Sequence, residues 1–121
     1  MIALRRLAAV FVVADVAASL DFHVGKLGCA ECLRVGNPPD YAAVERGALR
    51  LDLMPAARAP AARGQGQVHV MVSDVDGLHA EFAGKGGAVE VPPTDFSYGL
   101  REFSLRDPDG NRLTFAKPLE A

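Results

Sequence analysis

Two cysteines, three histidines and a few carboxylates and arginines could do chemistry in this chain, and their spacing limits which chemistry. Cys29-Ala30-Glu31-Cys32 is a CxxC, the spacing of a redox dithiol or of half a zinc site. No second half-site follows it. The segment reads as a strand after a helix, and in a strand positions three apart face opposite sides. The expectation is two ordinary reduced thiols. His69 stands on the polar side of the alternating run Gln67-Val68-His69-Val70-Met71-Val72. Beside Asp52 or Glu102 it could titrate near neutrality and serve as a general base. Its plainer role is to orient a ligand or a neighbour. Arg50 and Arg106 could clamp a carboxylate or phosphate, or simply be exposed strand arginines. His23 and His79 fall in helical patterns, where packing or a surface position is expected.

These side chains must be positioned by strands. "YGLREFSLRDPDGNRLTF", Tyr98 to Phe115, alternates apolar and polar residues around Asp107-Pro108-Asp109-Gly110. Asp, Pro and Gly at turn positions i, i+1 and i+3 suit a type I turn. Phe103, Leu105, Leu113 and Phe115 form the apolar side; Glu102, Ser104, Arg106, Arg112 and Thr114 form the other. In Leu49–Leu53 the apolar set is Leu49, Leu51 and Leu53, opposite Arg50, Asp52 and Met54. In Gln67–Val72 it is Val68, Val70 and Val72, opposite Gln67, His69 and Met71. Methionines on such a face suit an adaptable binding surface, although a solvated antiparallel sheet looks much the same.

The chain partly repeats itself at an offset of 59 residues: Asp15-Val16 falls on Asp74-Val75, Gly25-Lys26 on Gly84-Lys85, and Gly28 on Gly87. Each Asp follows an apolar run and opens a helical pattern, as an N-cap does. The first helix should bury Val16, Leu20, Val24 and Leu27, and the second Val75, Leu78 and Phe82. Each stops near glycine, at Gly28 and Gly86-Gly87. Strands at Ala30–Val35, Tyr41–Glu45 and Leu49–Leu53 follow the first helix. Ala88–Val91, Arg101–Arg106 and Arg112–Phe115 follow the second. "MPAARAPAARGQG", Met54 to Gly66, has no strand pattern and is the natural connection. The expected fold is a single α+β domain of two βαβββ modules, 1–57 and 64–121, with 58–63 between them. A half this short could not easily make a core alone, so the two should pack together, each sheet carrying a helix on its apolar face.

Composition excludes some functions. Half the residues are apolar, 23% are charged, and the net charge of −2 argues against nucleic acid or an anionic membrane as partner. No apolar run approaches the roughly 20 residues of a membrane span. The start, Met1-Ile2-Ala3-Leu4-Arg5-Arg6, lacks the order of a signal peptide, so the expected location is cytoplasmic.

Three stretches carry a resemblance. "FVVADVAASLDFHVGKLG" (11–28), "VMVSDVDGLHAEFAGKGG" (70–87) and "YGLREFSLRDPDGNRLTF" (98–115) resemble the vicinal oxygen chelate superfamily. That superfamily includes glyoxalase I, extradiol dioxygenases, fosfomycin-resistance enzymes and bleomycin-resistance proteins, and the third stretch is most similar to the last branch. The resemblance implies that the paired βαβββ modules form one cup of mixed and antiparallel strands with the helices on its outer face, and it implies a homodimer. Metal enzymes of the superfamily place their ligands at positions that correspond here to Ala8, Asp52, Gln67 and Thr114. Two good donors at most are present, where a catalytic ion normally takes three. The expectation is therefore no metal and no cofactor. The leading reading is a small-molecule binding protein of the antibiotic-sequestering kind. Its pocket is expected at Arg50, Asp52, Gln67, His69, Met71, Tyr98, Glu102, Ser104 and Thr114, with Tyr41 or Phe96 adding aromatic wall. Two alternatives stay open: a metal-dependent or His69-based lyase, isomerase or dioxygenase, and a non-catalytic assembly module.

Overall fold

A computed structural model describes residues 1–120. The elements run β1 (Ala9–Val13), α1 (Val16–Gly25), β2 (Ala30–Val35), β3 (Tyr41–Arg46), β4 (Leu49–Pro55), a short 3-10 turn (Pro60–Ala62), β5 (Gln67–Met71), α2 (Val75–Gly84), β6 (Val89–Asp95), β7 (Leu100–Arg106) and β8 (Arg112–Pro118). They form two four-stranded sheets, ordered β1-β4-β3-β2 and β5-β8-β7-β6. In each, the first strand pairs parallel to the last and the other pairings are antiparallel. This is the expected pair of βαβββ modules.

Both helices begin as the repeat predicts. Asp15 accepts the Ala18 N–H and Asp74 accepts the Gly77 N–H, each satisfying a donor that the first turn leaves free. The buried stripe of α1 differs from the expectation. Val24 is 43% exposed, and His23 is fully buried in its place. The spacing explains it: 16, 20, 23 and 27 follow one face, and Val24 lies about 70° from its centre. His23 tolerates burial because its Nδ1 bonds the Ser19 carbonyl, 2.8 Å away. Strand β6 also runs further than expected, through Pro92 and Pro93. It is an edge strand with two register irregularities, the setting in which a sheet accepts proline.

The core is one cluster spanning both modules, from Phe11, Leu20, Leu51 and Leu53 to Phe82, Phe103, Leu113 and Phe115. The "DPDGN" turn then clamps module to module. Buried Asp107 accepts the backbone N–H groups of Asp109 and Asn111 and the Asn111 amide. Fully buried Asn111 donates to the Val12 carbonyl and accepts the Gly66 N–H at 2.8 Å. Asp109 accepts the Ala14 N–H and pairs with Arg63. The approach is so close that a Cβ on Gly64 would lie 2.2 Å from the Asp109 carbonyl oxygen. A Cβ on Gly66 would meet the Phe11 ring at 2.6 Å. Far from the turn, Arg46 bonds Glu81 through two nitrogens and also the Leu27 carbonyl, closing the other end of the same interface.

Candidate functional site

Strand register places the polar side chains. On β4, Asp52 stands opposite Val10 of β1 and Ala43 of β3; Arg50 stands opposite Glu45. On β8, Thr114 stands opposite His69 of β5 and Ser104 of β7; Arg112 stands opposite Gln67 and Arg106. Each module thus carries its polar side chains on the sheet face away from the core.

In the first module this face is internally neutralised. Tyr41 donates to the Asp52 carboxylate at 2.7 Å and Arg50 Nε donates to it at 2.9 Å. Burial works to raise the Asp52 pKa, but the two donated bonds and the guanidinium charge outweigh it and hold it below the usual carboxylate range. The same bond holds the Tyr41 phenol above its ordinary value. Arg58 stacks over the Tyr41 ring, 5.6 Å from its centroid.

In the second module Tyr98, stacked on Phe96, donates to Glu102, and Arg112 donates to the Ser104 hydroxyl at 3.2 Å. Ser104 and Thr114 are buried beneath them. One oxygen of Glu102 and the Nε of Arg112 are buried without a partner.

An open cavity of about 530 Å³ joins the two sheets along β1, β4 and β5, lined by Ala8, Leu49, Arg50, Gln67, Val68, His69 and Met71 among others. Of the sequence-predicted residues, it gathers Arg50, Gln67, His69 and Met71. Asp52 adjoins them through its bond to Arg50. Tyr98, Glu102, Ser104 and Thr114 form a separate group on β7 and β8. His69 is exposed, and its neighbour across the strand pair is Thr114 rather than a carboxylate. Arg112 belongs with this face, although alternation alone could not show that it lacks a carboxylate partner. A second cavity, of about 390 Å³, lies between the modules on the helix side, against Leu27, Cys29, Leu78 and Phe82. Its charged groups are already engaged: Arg46 with Glu81, and Asp74 with the helix it caps. Cys29 there is buried, which pushes its thiol up to about 11, while Cys32 is exposed.

The four positions implied for a metal do not suit one. Ala8 offers no donor, Thr114 is neutral and buried, and the Asp52 carboxylate already takes two protein donors. Among the described residues no group of three His, Cys, Asp or Glu side chains could hold an ion.

Solved structures share this architecture. TioX from Micromonospora sp. ML1 is 23% identical with a TM-score of 0.83, covering 96% of this chain and 100% of its own. A glyoxalase/bleomycin resistance protein/dioxygenase from Nocardioides is 22% identical with a TM-score of 0.79, over 100% of this chain and 87% of its own. The bleomycin-binding protein from bleomycin-producing Streptomyces verticillus, complexed with copper(II)-bleomycin, is 28% identical with a TM-score of 0.74, over 100% of both chains. No curated protein matches the chain. The family model of the Glyoxalase/Bleomycin resistance protein/Dioxygenase superfamily matches residues 5–115, and the chain belongs to that superfamily.

Proposed function

We propose that the chain is a small-molecule binding protein that sequesters an antibiotic or metabolite on the polar face of its sheets, without a metal and as a homodimer. The observation that carries this reading is the open cavity along β1, β4 and β5. Its size falls within the range of ligand sites, and it sets Arg50, Gln67 and His69 among apolar side chains. A few fixed polar groups on apolar walls orient a ligand; catalysis would need an oriented base, and His69 has no carboxylate beside it. The bleomycin-binding relative supports a ligand of antibiotic size. A second copy is supported by apolar side chains left exposed on the strands, Val10, Leu33, Val35 and Met71. Among the described residues, no helix is long and apolar enough to cross a membrane.

A thermal-shift screen against antibiotics and small metabolites, repeated with added divalent ions, tests the reading. A metal-independent stabiliser that loses its effect in His69→Ala or Met71→Ala is the expected result. Turnover of a methylglyoxal–glutathione adduct or a catechol would overturn it. Sedimentation should give twice the 12.8 kDa chain mass at tens of micromolar.

A further inference from the structure

We infer that Glu102 and Arg112 are the two poles of a subsite for a zwitterionic ligand, taking an ammonium group at Glu102 and a carboxylate or phosphate at Arg112. This rests on the reading of the polar face as a ligand site and narrows its ligand. The two modules correspond position by position. Val10 opposite Asp52 corresponds to His69 opposite Thr114, and Ala43 opposite Asp52 corresponds to Ser104 opposite Thr114. The same register makes Arg50 the counterpart of Arg112 and Tyr41 the counterpart of Glu102. In the first module the middle position is Asp52, and it satisfies both neighbours, Tyr41 and Arg50. In the second the middle position is Thr114. The carboxylate has moved to the end of the row, one step beyond the reach of the arginine.

The consequence is two charges left without counterions. Among the described residues the half-buried arginines are Arg50, Arg101 and Arg112, and the first two are ion-paired. Arg112 bonds only a neutral hydroxyl. The half-buried carboxylates Glu45, Asp52, Glu81 and Asp109 each have an arginine, whereas Glu102 has only the Tyr98 phenol. Each also keeps one buried atom with no partner, the Oε2 of Glu102 and the Nε of Arg112. Leaving a buried polar atom unmade is costly, more so on a charged group, so both invite a ligand group. The Arg112 guanidinium reaches the row of Ser104, one row from Glu102, so the poles lie roughly 7 Å apart along the strand direction. A ligand with its own charges at that separation neutralises both. Tyr98 covers the carboxylate but is itself 58% exposed, next to Gly99 at φ 94°, and a ligand ammonium replaces its hydroxyl by turning the ring outward.

The test is an NMR titration of the full chain with ω-amino acids from glycine to 6-aminohexanoate, each also as its N-acetyl and methyl-ester derivative. Affinity should rise with length until the charges match the poles. Blocking either end of the best member should weaken it at least tenfold. Glu102→Gln should erase the discrimination against the N-acetyl derivative and keep that against the ester; Arg112→Gln should do the reverse. Tyr98→Phe, which removes the competing hydroxyl, should tighten binding a few-fold. Thr114→Asp recreates the first module's arrangement and should abolish binding. N-acetyl and parent probes of equal affinity, or variants that discriminate like wild type, overturn the inference. A compound that shifts Gln67, His69 and Met71 while the Glu102–Arg112 row stays silent keeps the binding reading and overturns the zwitterion. Silence of the whole face toward every compound overturns both.

Discussion

Replacing Asn111 by Ala removes the centre of the clamp between modules. The side chain is fully buried and makes three bonds: from the Gly66 N–H at 2.8 Å, to Asp107 at 2.9 Å and to the Val12 carbonyl at 3.3 Å. Two are neutral and contribute about 1 kcal/mol each. The bond to the carboxylate contributes about 1.5–3 kcal/mol, and truncation also leaves the half-buried Gly66 N–H without its acceptor. Allowing for overlap between these terms, the expected loss is about 3–5 kcal/mol. That is a large part of the roughly 5–15 kcal/mol of a domain this size. Urea unfolding reads it: with a slope of about 2 kcal/mol/M, the midpoint should fall by about 2 M with the slope unchanged. Asn111→Asp keeps the acceptor for Gly66 but sets a carboxylate against Asp107. It should be as damaging at neutral pH and recover part of the loss in acid, where one of the pair is protonated. A loss below about 1 kcal/mol in Asn111→Ala would refute the clamp and leave "DPDGN" as a turn only.

Further expectations follow from titratable groups. Burial above all lowers the His23 pKa, against the opposing Ser19 carbonyl bond and the Asp107 charge, so folded His23 is neutral. The unfolded chain takes up its proton near pH 6.5 and the folded chain does not. Stability should therefore be complete above about 6.5 and fall below it, by up to about 1.4 kcal/mol per pH unit, until the folded pKa is passed. Urea midpoints from pH 7.5 to 5 measure this slope, and His23→Gln should flatten it. Asp52→Asn removes the carboxylate charge and leaves one acceptor for two donors, so the bond that raises the Tyr41 phenol weakens and Tyr41 should ionise at lower pH by ultraviolet titration. With the Cys29 thiol at about 11 and buried, a thiol reagent at pH 7.5 should label one cysteine, Cys32, quickly, and the second only on unfolding.

Local pattern reached the modules because each module is built from local signals. The capping aspartates, period-two strands and the Asp-Pro-Asp-Gly turn all act within a few residues. It missed what depends on distant chain. Asn111 meets Val12 across 99 residues and Asp109 meets Ala14 across 95, so nothing near the turn announces a clamp. Val24 is apolar but lies off the buried stripe of its helix, while His23 lies on it and has a backbone carbonyl that makes its burial tolerable. At the polar face, alternation sorted the side chains correctly onto one side of each strand. Only the register of β3 with β4 and of β7 with β8 shows that Asp52 is satisfied and Glu102 is not.

The capping and turn residues within the stretches that carry the family resemblance are therefore occupied with architecture. Asp15 and Asp74 cap helices, Asp107, Asp109 and Asn111 join the modules, and Gly110 turns the chain at φ 100°. None of them lies on the polar face. That face is built from strand positions whose side chains point away from the core cluster. A matching motif thus guarantees two modules held in register and leaves ligand choice to the rows between them. In this chain the two rows solved the same geometry differently: Tyr41-Asp52-Arg50 closes on itself, and Glu102-Thr114-Arg112 does not. Exchanging Asp52 and Thr114 between the rows should move the unsatisfied pair of charges partly from the second module to the first. The Arg112 pole would vanish and Arg50 would lose its counterion. If zwitterion binding in the titration persisted unchanged at the second row after that exchange, the middle residue would not be what opens the subsite.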